Sequence, residues 1–223
     1  MGVMYPALAI GLAVLVALYL CTQQWSARSR RNRATRIIRR LEEALAGRGH
    51  VISFHWLAET QFEAALRFAS SSFKRSSIRV EFSDSTLPLM PWLWRKREES
   101  ERLVFRSDLE AAPRFRLNVL SQRWTAQSGK IKCLDAAQWN YEPVMPVIFT
   151  TACDWSPELA ATVVTSRSNQ QQFQDVQFRK SSPHFSASMP LHIFSEGENH
   201  LDFFTALRDL AAEVSTAAKS QGN

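Results

Sequence analysis

Residues 4–21 read MYPALAIGLAVLVALYLC, and shortly afterwards residues 28–40 read RSRRNRATRIIRR. These two stretches decide how the chain is organised. As a helix the first measures roughly 27 Å, close to the hydrocarbon thickness of a bilayer. It holds no charged side chain, and a helix that is apolar all round suits lipid better than the edge of a soluble core. Pro6 falls in the first turn, where a missing N–H does no harm. Tyr5, Tyr19 and Trp25 fall near the two ends, where amphipathic rings favour the interface. A cleaved signal would carry basic residues before the apolar run and a small-x-small site after it. Here the preceding residues are neutral, and Leu18-Tyr19-Leu20-Cys21 is too bulky for cleavage or for a lipoprotein-type Cys21. The sequence therefore predicts a retained transmembrane anchor over 1–26.

The arginines give that anchor a direction. Arg28, Arg30, Arg31, Arg33, Arg36, Arg39 and Arg40 follow the apolar run, and residues 1–40 contain no acid. The positive-inside bias then places the N-terminus outside and everything after the span in the cytoplasm, in the cell membrane as a single pass. Cys133 and Cys153 are expected there as reduced thiols. The overall net charge of +6 resides in this cluster, because 41–223 holds 20 basic against 21 acidic residues. A nucleic-acid-binding domain carries its own positive face, so no nucleic acid is expected as a partner.

Ile37, Ile38, Leu41, Ala44 and Leu45 recur at helical spacing through the basic stretch, and Gly47 offers a stop. Residues 27–47 thus read as a basic juxtamembrane helix. Its arginines are candidates for contact with anionic lipid headgroups, each contributing on the order of 1 kcal/mol near such a surface, or they serve only to set topology.

Residues 48–219 read as one cytoplasmic α+β domain, with 220–223 as a frayed tail. Val51, Ile52, Phe54 and Trp56 suggest a strand. Residues 59–70 fit either period, and Glu and Ala tip the reading towards helix. Ile78, Val80 and Phe82 alternate with polar residues, as do Leu103 and Phe105, and Phe115, Leu117 and Val119, which predicts an antiparallel meander with one wet face. Gln127–Pro143 reads as a polar loop, Val147–Thr151 as a buried strand, and Ser156-Pro157-Glu158 as a helix start. Phe173–Phe178 and the alternating Phe185, Ala187, Met189, Leu191 and Ile193 read as further strands. A long C-terminal helix, capped at Asn199, follows from the stripe Leu201, Phe204, Leu207, Leu210, Ala211 and Val214. The fold class is an antiparallel sheet with that helix packed on it.

Two segments share an order of features: Val51 through Trp56 and Glu59 to Phe73-Lys74-Arg75-Ser76-Ser77, and Val147 through Trp155 and Glu158 to Phe178-Arg179-Lys180-Ser181-Ser182. This is the pattern of a β-α-β-β unit used twice, in which Lys74, Arg75, Arg179 and Lys180 would frame an anion site. The alternative is two solvated basic turns.

No spacing points to catalysis or to a cofactor. The histidines make no i, i+4 pair with one another. His184 and His192 share strand parity on an exposed face. Cys153 ends a strand before a helix start, a place where a thiolate can be stabilised and where a small thiol also packs. Glu98, Glu99 and Glu101 read as solvated surface. The most distinctive stretch is Leu87–Arg97, where two prolines forbid a regular helix and Trp92, Trp94, Arg95, Lys96 and Arg97 combine interfacial rings with cations. It reads either as a membrane-dipping loop or as a loop folded on the core.

The sequence thus describes a non-enzymatic, membrane-tethered module that binds anionic lipid, a protein partner, or both. An apolar ligand held between the sheet and the C-terminal helix is the alternative, and an enzyme without a familiar motif the third. A reporter fused to the C-terminus is expected to be active only on the cytoplasmic side; activity outside the cell would reverse the orientation.

Overall fold

The computed structural model describes residues 4–69, 72–83, 101–110, 112–113, 116–121, 140–144, 147–151, 173–196 and 203–212. Its first element, α1 (Met4–Leu45), is a single helix of 42 residues. It is long and apolar enough in its N-terminal part to cross a membrane, and that part is not buried. Ile10, Leu12, Leu18, Tyr19 and Leu20 are exposed, whereas Ala34, Ile37, Leu41, Ala44 and Leu45 are buried in the core. The helix ends at Leu45, and Gly47 adopts the positive φ that closes such an end. One helix is therefore apolar all round in its first half and amphipathic in its second.

The strands are β1 (Gly49–Ala58), β2 (Gln61–Phe68), β3 (Phe73–Glu81), β4 (Arg102–Leu109), β5 (Leu117–Ser121), β6 (Asn140–Val144), β7 (Val147–Thr151), β8 (Asp175–Phe178) and β9 (Phe185–Pro190). Among the described residues they form one antiparallel sheet in the order β1-β2-β3-β4-β9-β8-β5-β7-β6. Two short helices follow, α2 (Leu191–Glu196) and α3 (203–212).

The inward face carries Phe62, Ile78, Val80, Leu103, Phe105, Phe178, Phe185, Ala187 and Met189, and all three helices contribute to the same core. Phenylalanine fills much of the layer between sheet and helices. Phe105 meets Phe68, Phe73, Phe185 and Phe204 at ring-centroid distances of 6.0, 5.3, 6.0 and 6.4 Å. The other face is polar, with cross-strand ion pairs Glu63–Arg79 and Glu81–Arg102. Arg106 lies on that face with its pKa below the ordinary guanidinium value, first because it is partly desolvated and then because Arg79 is close.

Several expectations change. The C-terminal helix is short: α3 spans 203–212, with Phe203, Phe204, Leu207, Leu210 and Ala211 buried. The long helix of the core is instead the second half of α1. Residues 61–68 form a strand, because β1 and β3 pair with it on both edges; two ladders of hydrogen bonds outweigh the weak strand propensity of Glu and Ala. Phe73-Lys74-Arg75-Ser76-Ser77 begins β3 and is not a turn, so the first of the two matched segments lacks both the helix and the turn of a β-α-β-β unit. β4 and β5 are not neighbours, since β9 and β8 lie between them. Asn140–Val144 is a strand. β9 stops at Pro190, which has no N–H for the ladder, so His192 lies on α2 and shares no strand with His184. Cys133, Cys153, the helix start at Ser156 and the cap at Asn199 lie outside the described residues.

Burial of Ile37, Leu41 and Leu45 contributes about 5–9 kcal/mol, comparable with the whole stability of an ordinary domain. A chain beginning at residue 46 is expected not to fold, read by circular dichroism and proteolysis. Leu41→Ala in the full chain should cost about 2–5 kcal/mol in denaturant unfolding.

Candidate functional site

The seven arginines lie on one helix, yet the structure divides them into groups with different surroundings. Arg30 and Arg33 belong to the domain. Arg30 is 4% exposed. Its Nη1 donates to Ser26 Oγ at 2.9 Å, and its Nη2 lies 3.8 Å from Glu59 Oε2 in the β1–β2 turn. Arg33 donates from Nη1 and Nη2 to Glu101 Oε1 and Oε2, at 2.9 and 2.5 Å. Its guanidinium carbon also stands 5.4 Å from the centroid of the Phe82 ring. Two parallel bonds and an aromatic face fix its position in all directions.

Glu101 overturns its reading as solvated surface. It is 2% exposed, because it precedes β4 at the point where α1 crosses that edge of the core. Its backbone oxygen also accepts from Leu191 N at 3.0 Å. One residue thus ties α1, β4 and α2 together. Nothing in the linear sequence signals this pairing, whose members lie 68 residues apart.

The remaining five arginines are not held by the domain in this way. Arg39 pairs with Glu43 one turn on, at 3.2 Å, and both are exposed. Arg28, Arg31 and Arg36 are exposed and Arg40 is half-buried.

Two grooves run beside α1. The first, of about 580 Å³, opens between its middle and the end of β1, with Gln23, Arg30 and Arg31 on one wall and Trp56, Leu57 and Glu59 on the other. Trp56 is anchored from below by Phe62 and Phe82, at ring-centroid distances of 5.6 and 6.2 Å. Helix α1 and β1 run in opposite directions, so the β1–β2 turn returns towards the apolar half of α1. This groove accordingly lies just past Cys21. The second groove, of about 450 Å³, lies further along the helix between α1 and α2, bordered by Arg33, Arg36, Arg40, Ile37, Leu191 and Ser195.

The other expected anion site is laid out differently. Lys74 stands opposite Asp108 across β3–β4. Arg179 N donates to the His184 carbonyl at 2.8 Å across β8–β9. Lys74 and Arg179 therefore lie at the same end of the sheet, three strands or about 14 Å apart. Between them stand Asp108 and His184, whose Oδ1 and Nδ1 are 3.9 Å apart. Arg75 and Lys180 are exposed at that end, and Arg75 has positive φ at a bulge. The four cations share a region, with a carboxylate inside it. Trp92, Trp94, Arg95, Lys96 and Arg97 lie outside the described residues. Among the described residues, no group of three or more His, Cys, Asp and Glu is placed to hold a metal ion.

A cleft of about 210 Å³ opens at the same end of the sheet, on its inward face, between Phe68, Phe73 and Phe204. That is below the 300–1,000 Å³ usual for a small-molecule site. No family model and no curated protein matches this sequence.

Removing the buried Glu101 carboxylate leaves half-buried Arg33 without its counter-charge and opens a gap beneath α1. Glu101→Ala is expected to destabilise the fold by about 3–5 kcal/mol. The double replacement Arg33→Met with Glu101→Leu should recover most of that loss in urea unfolding.

Proposed function

We propose that the chain is a single-span protein of the cell membrane whose α+β domain sits against the cytoplasmic leaflet and binds anionic lipid headgroups without catalysing a reaction. The observation that carries this reading is the continuity of α1: the apolar half passes into the core half with no break. If the hydrocarbon ends near Cys21, Arg28 and Arg31 lie about 10 and 15 Å beyond it along the axis. Helical side chains lean back towards the N-terminus, and arginine stems reach towards a surface while the charged head stays wet. Arg28 and Arg31 thus come within range of the headgroup layer, which adds about 5–8 Å to each side of the hydrocarbon. The groove between Arg31 and Trp56 opens at the same level.

The sequence between Ser83 and Glu101 supports the same reading. Both of its ends join β3 and β4 at the end of the sheet where the β1–β2 turn lies, the end nearest the apolar half of α1. We assign Trp92 and Trp94 to the interface, with Arg95, Lys96 and Arg97 on lipid phosphates. Because α1 already holds the domain at the surface, a second contact costs little further entropy.

One observation favours a protein partner as the second reading. Edge strand β1 carries no Lys, Arg, Asp or Glu, and Ile52, Phe54 and Leu57 are exposed on it. Charged residues normally protect such an edge, and an extended segment of another protein can add to it as a strand. The 210 Å³ cleft gives less support to an apolar ligand held beneath the C-terminal helix.

The test uses the full chain in mixed phosphatidylcholine–phosphatidylglycerol nanodiscs, with co-retained lipid measured by mass spectrometry. The wild type should be enriched in phosphatidylglycerol, and Arg28→Gln with Arg31→Gln should lower that enrichment about tenfold. Exchange of Trp92 and Trp94 for Ala should lower it further. Equal retention of both lipids by the wild type at low salt would remove the lipid reading.

A further inference from the structure

The groove between α1 and α2 is too far along the helix for the lipid reading to reach it. Arg36 and Arg40 lie about 22 and 28 Å beyond Cys21 along the axis, and a typical tilt of about 20° shortens this by only about 6%. Even with the side chains leaning back, both heads stay well outside the headgroup layer. What they face is an open groove of about 450 Å³, a size within the range of small-molecule sites.

Its construction is that of an anion site. Arg33, Arg36, Ile37 and Arg40 follow the i, i+3, i+4, i+7 pattern and share one face of α1. Leu191 and Ser195 are four apart on α2 and supply the facing wall. Ile37 and Leu191 are 3% and 0% exposed, so the floor is rigid and apolar. Glu101, the buried carboxylate on this face of α1, is committed to Arg33 by two hydrogen bonds. Among the described residues no carboxylate pairs with Arg36 or Arg40, while Arg39 on the neighbouring face has Glu43. Like charges at i, i+4 repel, and an oxyanion between Arg36 and Arg40 relieves that repulsion through charge-assisted hydrogen bonds.

We propose that this groove binds a soluble phosphate ester of small-molecule size, with Arg36 and Arg40 on its phosphoryl oxygens, Ser195, whose hydroxyl now donates to the His192 carbonyl at 3.2 Å, at its border, and buried Ile37 and Leu191 as the packing beneath. Arg33 is the positioning residue, since Glu101 holds it. That the phosphate is soluble and not a lipid's rests on the span proposed above; the groove itself does not.

The probe is inorganic pyrophosphate, titrated by calorimetry into the full chain in phosphatidylcholine nanodiscs. Saturable binding at one site is expected, weakened at least about tenfold by Arg36→Gln with Arg40→Gln and unchanged by Arg39→Gln. If the first pair of substitutions disturbs the fold, arginine-selective modification of the wild type, read by mass spectrometry, gives the same answer: pyrophosphate should protect Arg36 and Arg40 and leave Arg39 reactive. Absence of saturable binding, or binding indifferent to Arg36 and Arg40, overturns the proposal. Displacement of pyrophosphate by phosphatidylglycerol placed in the discs would make the ligand a lipid headgroup and would overturn the placement of the span. Tighter binding of a hexaglutamate peptide at the same arginines would make it an acidic protein segment.

Discussion

Everything in this molecule hangs on a helix whose two halves have different surroundings. The first half of α1 exposes Ile10, Leu12, Leu18 and Leu20, while the second half buries Ile37, Leu41 and Leu45 under a sheet. A helix propagates its own backbone hydrogen bonds, so the two halves need no joint. The sheet then has only one way to sit, because Arg33 is gripped by Glu101 from one direction and by Phe82 from another. The pair costs desolvation of both charges. In return it fixes which face of α1 meets the core, since apolar side chains alone slide past one another more readily than a bidentate ion pair does.

Much of this was legible in the sequence where a pattern is local. The apolar run, its lack of charge and the arginines after it are properties of consecutive residues. So are the alternations through Ile78–Phe82 and Phe185–Met189, which recur as β3 and β9, and the stop at Gly47. What escaped depends on partners distant in the chain. Residues 61–68 carry both periods, and only strands on both sides decide between them. The stripe through Leu207 and Leu210 is real, but the helix that bears it is short. The covering role expected of it falls largely to the segment read as a lipid-facing juxtamembrane helix. That segment looked amphipathic because one side of it faces a core, and sequence alone cannot name which surface an apolar stripe meets.

The same limitation explains the arginines. Seven like charges in thirteen residues (Arg28 to Arg40) read as one cluster, and composition treats them alike. Helical geometry does not. At about 100° and 1.5 Å per residue, neighbours in sequence point in different directions and lie at different heights. Arg30 and Arg33 turn into the domain, Arg39 is neutralised by its own helix, and Arg36 and Arg40 line a groove with α2. The acidic residue that decides the role of Arg33 sits in a run of glutamates with nothing to distinguish it. Only the route of the chain into β4 brings Glu101 beneath α1.

Because no flexible joint separates the two halves of α1, the domain has an angular phase as well as a height. Inserting one residue between Cys21 and Arg30 would rotate the whole sheet by about 100° around the helix axis and raise it by about 1.5 Å. Inserting seven would restore nearly the original heading about 10 Å higher. The molecule therefore behaves less like a tethered ball than like a key on a shaft, and the count of residues along the shaft determines which side of it is offered to its surroundings.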